Sequence, residues 1–194
     1  MKEFKVVQVP TEADGFMANA YILPTPEGVL IYDVPLLNYY ARKLLETVKT
    51  EFPCQPVSGV IVSHAHSDHY LSAYLICQET KAPLYMTKAA AAEVEKTADN
   101  WLKKFKAVYP KEVAWTYKEP DITFSGEHQL KFKGLTLDLI EVTKAEAASN
   151  LIIWIREKKQ LLAGDLVYNK VHPNLNGCFF NSWLLRLDEL KGLA

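Results

Sequence analysis

The chain has 194 residues, 49% of them hydrophobic and 23% charged, and a chain of this length can bury about 70% of its unfolded surface, enough for a core without disulfide staples. With 22 Lys and Arg against 23 Asp and Glu, the formal charge of -1 excludes a whole-chain field that would draw the protein to nucleic acid or to an anionic membrane. No apolar run approaches the ~20 residues of a membrane span, and the opening "MKEFKVVQVP" alternates like a strand without the apolar stretch of a secretory signal. A single cytoplasmic domain over residues 1–194, with no membrane or nucleic-acid partner, is the expectation.

In chain order, "FKVVQVP" (4–10), "NAYILPT" (19–25) and "GVLIYDV" (28–34) are short β-rich runs, the last two joined by the turn "PTPEG". The segment 36–52 places Leu37, Tyr40, Leu44 and Val48 on one helical face. After a Pro-containing break, "VSGVIVS" (57–63) is a nearly all-apolar strand of the kind buried on both faces. A helix is expected over 70–79, a strand over 82–87 and a longer helix over 89–110, whose Val94, Ala98, Trp101, Phe105 and Val108 form one apolar stripe that reads as packing. The basic run Lys103, Lys104 and Lys106 reads as a solvated face.

Strands return at 121–125, 128–133, 135–143, 149–156 and 160–168, with "EKK" as a hairpin connection, and an amphipathic helix over 181–193 closes the chain. This order suits two packed sheets with helices outside. Cys54, Cys77 and Cys178 are scattered, without CxxC spacing, and read as reduced and structural.

The chemistry concentrates in "VIVSHAHSDHYL", where three of the five histidines and an aspartate fall between His64 and His69. Neutral imidazole and carboxylate are ordinary ligands for Zn²⁺ and other borderline divalent cations. His64 and His66, at i and i+2 in extended backbone, point the same way; Asp68 and His69 follow where the chain turns into a helix, so a second pair can face the same cavity. Burying these groups without a cation would leave several polar atoms in need of partners. His128, alone in "GEHQL", carries no ligand spacing and reads as a residue of no metal role.

The stretch "HAHSDH", after an apolar strand and opening a helix, resembles the HxHxDH motif of the metallo-β-lactamase superfamily. The resemblance extends over nearly the whole chain: "NAYILPTPEGVLIYDV" is similar to the family's first hairpin with its buried Asp, here Asp33, and "LLAGDLVY" to the strand whose Gly-Asp ends in a bridging metal ligand, here Asp165. It implies an α/β (α+β) fold, a four-layer αββα sandwich, with one or two metal ions, zinc first and iron or manganese as alternatives, at the rim where the sheets meet. It also implies a metal-activated water that hydrolyses an ester, lactone, thioester, amide or related bond of a small-molecule substrate.

Two departures from the family pattern bear on the ligand set. The family's further histidine, in a Gly-His-Thr-like turn before an apolar strand, has no counterpart in "EVTKAEAASNLIIW"; counting back from the strand puts Glu146 nearest, competent as a ligand or else a solvated turn carboxylate partly neutralised by Lys144. The family's last histidine lies on a C-terminal strand after the last helix, and this chain stops at Ala194, so the expectation is a short member or a chain lacking that strand, with His172 the one histidine left to substitute. The expected assignment is His64, His66 and Glu146 at one metal; Asp68, His69 and Asp165 at a second, His172 completing it; and Asp68 as the catalytic group that orients water or hands on a proton. Two alternatives stay open: a metal-binding module without catalysis, favoured by the missing histidine, and an iron-dependent oxidoreductase, disfavoured because family members of that kind carry Glu where this chain has His66 and recruit a flavin domain.

Overall fold

In the computed structural model, which describes residues 4–193, the strand and helix segments assemble into four layers, α, β, β and α. Met1–Glu3 and Ala194, ends of the expected opening strand and of the expected domain, lie outside the described residues. The first sheet has the order β1 (Val7–Pro10), β2 (Asn19–Thr25), β3 (Gly28–Tyr32), β4 (Val57–Ile61), β5 (Leu84–Thr87), β6 (Ile122–Phe124). Its first three strands pair antiparallel and the rest parallel. Parallel neighbours need crossovers, supplied by α1 (Asn38–Glu51), by the short α2 (Ser67–Tyr70) with α3 (Ala73–Thr80), and by α4 (Lys88–Val108). Crossovers of one hand, made while the sheet grows in one direction, land on one face.

The second sheet is antiparallel, β10 (Gln160–Leu162), β9 (Ser149–Ile155), β8 (Leu135–Thr143), β7 (Glu127–Phe132), with α5 (Phe180–Leu190) outside it. The two-residue period of a strand divides the core. Val29 and Ile31 of β3 pack among the helices, while Leu30 and Tyr32 face the space between the sheets. From the other side Leu151, Ile153 and Ile155 of β9 enter that space, and Ile152 turns outward to Trp183 of α5. Each such fully buried aliphatic side chain stabilises the fold by about 1.5–3 kcal/mol.

Several sequence-based boundaries move. The opening strand begins at Val7. The helix expected over 70–79 starts earlier, at Ser67 inside the histidine motif, and breaks at Leu71–Ser72 before α3 resumes. The strand expected over 160–168 stops at Leu162, and the Gly-Asp pair occupies a single 3-10 turn, Gly164–Leu166, because Gly164 adopts a left-handed conformation (φ 52) that ends the extended run. "EKK" belongs to a 3-10 turn, Arg156–Lys158, closed by Lys159 at φ 49. Of the α4 stripe, Val94, Ala98 and Phe105 are buried, whereas Val108 is exposed and both Trp101 and Phe105 also border the central cleft. Cys77 is buried, but Cys54 lies on the surface, outside any packing role. No helix among the described residues is long and apolar enough to cross a membrane.

Hydrogen bonds tie the two sheets together where β4 ends. Leu151 N–H donates to the Ser63 carbonyl at 2.7 Å, the Tyr32 hydroxyl donates to the Leu151 carbonyl at 2.6 Å, and the hydroxyls of Thr87 and Ser149 meet at 2.7 Å. The Gly-Asp turn is pressed onto this seam: a Cβ on Gly164 would stand 2.9 Å from the Tyr32 hydroxyl and 3.2 Å from the Ser63 Cβ. Gly164→Ala is therefore expected to destabilise the protein by about 1–2 kcal/mol from the left-handed backbone alone, with the steric contact adding to it. Urea unfolding of the two proteins measures the difference, and equal midpoints would contradict it.

Candidate metal centre

The centre is built on Asp33, directly after β3. Its backbone is left-handed (φ 62), and its side chain is buried against the end of β4. Asp33 Oδ1 accepts the Ser63 backbone N–H at 2.7 Å; Oδ2 accepts the Ser63 hydroxyl at 2.8 Å and His69 Nδ1–H at 2.9 Å. Burial lifts the Asp33 carboxyl above the usual carboxylate range, opposed by His69 and by the Ser63 donors. With donors aimed at both oxygens, the group serves as an acceptor, the role of a carboxylate.

These bonds decide which ring nitrogens can bind a cation. The Ser63 hydroxyl has one proton and gives it to Asp33, so its 2.8 Å contact with His64 Nδ1 requires Nδ1–H as donor and leaves the lone pair on Nε2. His69 donates Nδ1–H to Asp33 directly, so Nε2 is the nitrogen left to face a cation in exchange for its proton. One carboxylate thus sets the tautomer of two imidazoles, the usual job of groups behind metal ligands.

In front of Asp33 the ligand atoms gather in two groups. His64, His66 and Glu146 form one and His64, His69 and Asp165 the other, the atoms of each lying within 4.8 Å of one another. In the first, His64 Nε2 and His66 Nδ1 are 2.9 Å apart, Glu146 Oε1 is 3.2 Å from His66 Nδ1, and Oε2 is 3.5 Å from His64 Nε2. In the second, His69 Nε2 lies 3.4 Å from Asp165 Oδ1; Asp68 Oδ2 stands 3.5 Å from the same nitrogen but, contrary to expectation, belongs to neither group, and His64 takes its place. Ligands bound tetrahedrally at 2.0–2.2 Å stand about 3.3–3.6 Å from each other; the Glu146–His64 and His69–Asp165 contacts match that spacing, and the two shorter contacts at His66 would open slightly around a divalent cation.

The carboxylates are presented in the same manner. The Asn150 amide donates to Glu146 Oε2 at 3.2 Å and leaves Oε1 free, while the Tyr168 hydroxyl donates to Asp165 Oδ2 at 2.8 Å and leaves Oδ1 free. Glu146 is 1% exposed, so it is not a solvated turn residue, and no ion pair with Lys144 occurs among the described residues. Burial, with His69 and His66 nearby, pushes His64 well below the usual histidine range and keeps its ring neutral. At His69 burial again opposes the charge, but Asp165, Asp33 and Asp68 outweigh it and hold the imidazole well above its ordinary value. Asp165 moves the opposite way: burial would raise it, and the His69 charge brings it below the carboxylate range. The second group is thus a place that attracts positive charge.

A cleft of about 710 Å³ opens over both groups, and Phe16, Met17, Trp101, Lys104 and Phe105 border it with His66 and Asp68. His172 also lines it, but on an exposed stretch and outside both ligand groups. His128 is remote from them, stacked on Phe124 at 4.8 Å. Ser63, Tyr168 and Asn150 were not marked by sequence reasoning; a hydroxyl directly before the first histidine was the one local signal for Ser63. Phe16 and Met17, both at positive φ in the β1–β2 connection, gave none.

The comparisons agree with this geometry. The model of the metallo-β-lactamase superfamily matches residues 13–193, and the chain belongs to that superfamily, one of metal-dependent hydrolases. Among curated proteins none matches. Of solved structures, a metallo-β-lactamase from Pontibacter korlensis is similar at 20% identity with TM-score 0.72, covering 98% of this chain and 86% of that one. A protein solved in a di-iron-bound form, TTHA1623, is similar at 17% identity with TM-score 0.70, covering 97% and 87%. The stereoselective inverting sec-alkylsulfatase Pisa1 from Pseudomonas sp. is similar at 18% identity with TM-score 0.66 over 91% of this chain, which spans 33% of that one. At such identities the likeness is one of fold.

Removing the support behind the imidazoles should weaken metal binding without touching a ligand atom. Asp33→Asn and Ser63→Ala are each expected to lower affinity for Zn²⁺ by ~10–100-fold, read by chelator competition on folded protein; affinity equal to the parent would show that the tautomers are set elsewhere.

Proposed function

We propose that the protein hydrolyses a small molecule at an ester, lactone, thioester, amide or related bond, using water activated by one or two divalent metal ions. The observation that carries this reading is a pair of orphaned atoms. Among the described residues Glu146 Oε1 and His69 Nε2 are buried without a hydrogen-bond partner, and each sits in one of the two ligand groups. An unsatisfied buried polar group costs about 1–3 kcal/mol, more when charged, and two such atoms facing convergent lone pairs are accounted for by cations.

In this reading His64, His66 and Glu146 would hold one ion; His69 and Asp165 would hold the other, with His64 shared between the two groups and Asp68 and His172 available from the cleft wall. A divalent cation so held would lower the pKa of water towards ~7 and would supply positive charge where negative charge develops on the substrate. Asp68, half-buried on the cleft side of His69, orients the attacking water and passes its proton to the leaving group. Asp33 keeps His69 and, through Ser63, His64 in the tautomer that offers Nε2. The apolar wall of Phe16, Met17, Trp101 and Phe105 takes the substrate's hydrocarbon part. Zinc is the first choice for such a donor set, with iron and manganese compatible.

Replacing His64 and His66 together by Ala should abolish both metal content, by elemental analysis, and turnover of activated aryl esters and lactones; unchanged metal content would remove the site. Asp68→Asn is expected to reduce kcat by ~10²–10⁴ with a much smaller effect on KM, and full activity would remove the proton-handling role. Stoichiometric metal without turnover of any ester, lactone, thioester or amide would favour the non-catalytic module, and visible absorption of the protein as purified would favour iron chemistry.

A further inference from the structure

The first ligand group is made of two imidazoles and one carboxylate, and the carboxylate is unusually committed to it. Glu146 lies between β8 and β9, is 1% exposed, and keeps Oε1 free of any hydrogen bond, 3.2 Å from His66 Nδ1. Its other oxygen is held only by the neutral Asn150 amide at 3.2 Å. Lys144, two residues earlier, takes a left-handed backbone (φ 53) and stays exposed, and among the described residues no lysine or arginine pairs with Glu146. Among the described residues the charge of Glu146 is therefore answered only by the two histidines, at 3.2 and 3.5 Å, and by what lies between them.

We propose that Glu146 sets the metal preference of this position: a hard, anionic oxygen in place of a third nitrogen narrows the margin by which Zn²⁺ outcompetes Fe²⁺ and Mn²⁺. This inference rests on the reading that the group holds a cation. Imidazole suits zinc, whereas carboxylate oxygen suits manganese, and a set of two histidines and one carboxylate with open positions is one that ferrous iron also uses. In a nitrogen-rich site the affinity order rises steeply from Mn²⁺ through Fe²⁺ to Zn²⁺, because the later ions gain most from nitrogen donors. Oxygen donation flattens that rise. The geometry allows the higher coordination numbers of the earlier ions too: Oε2 is restrained by a single long hydrogen bond, and His66, with 35% of its side chain exposed, borders the open cleft, which leaves room for water or substrate oxygens.

The test uses the full chain, stripped of metal, and measures dissociation constants for Zn²⁺ alone and Mn²⁺ alone in the parent, in Glu146→His and in Glu146→Gln. In Glu146→His the ratio of the Mn²⁺ to the Zn²⁺ constant should rise by on the order of tenfold, and at only one of the two equivalents if two bind. Glu146→Gln keeps the shape and an oxygen donor but loses the charge; it should weaken both ions, Mn²⁺ more than Zn²⁺, and it tests the same preference if the histidine variant does not fold. An unchanged ratio in a folded variant, including an equal loss of both ions, would overturn the proposal. A parent chain that binds neither ion would instead overturn the metal reading beneath it, a result distinguishable because no ratio then exists to shift.

Discussion

The centre depends on one buried carboxylate. Taking Asp33 out of water costs several kcal/mol, and hydrogen bonds to a charged group return about 1.5–3 kcal/mol each. The Ser63 amide, the Ser63 hydroxyl and His69 together offset part of the cost, and their arrangement has chemical consequences. Two of the three donors belong to the residue that ends the apolar run of β4, so the strand terminus and the orientation of His64 are fixed by the same contact. The third is itself a candidate ligand ring. A carboxylate that could not be satisfied here would take two imidazoles out of alignment at once.

The sandwich makes such precision possible because the groups come from both sheets. His64 to His69 follow a strand of the first sheet, while Glu146 and Asp165 follow strands of the second. Their relative positions depend on how the sheets are fastened, and the fastening is close by: Leu151 binds Ser63 through its amide and Tyr32 through its carbonyl. Core packing of Leu30, Tyr32 and Ile61 against Leu137, Leu139 and Ile153 holds the sheets face to face. The directional bonds at Leu151 then set their register at the rim.

Most of the layer architecture was legible because it is written in short-range periods. The nearly all-apolar β4, the apolar run of β9 and the stripe of α4 each announce how many faces are buried. The histidine motif was legible for a similar reason: its candidate ligands lie within six residues. Glu146 could be placed by counting back from the strand "NLIIWI", but its burial could not, since a turn carboxylate beside Lys144 looks solvated in sequence. The fate of Ser63 was hidden altogether, because its partner Asp33 is 30 residues away and the link is a single hydroxyl proton. His172 is a different case. It was a candidate as the one histidine left to substitute, and the chain beyond Asp165 carries it onto an exposed part of the cleft wall, outside both groups.

Because residues near position 64 and residues near position 165 converge at the rim, an ion gripped there would act as a staple between the early and late halves of the polypeptide. Resistance to unfolding would then follow mass action, growing by about 2.7 kcal/mol when free ion reaches a hundred times its dissociation constant. Starvation for metal would loosen the whole molecule as well as silence it, so the abundance of the folded form in a cell would track the local supply of the ion.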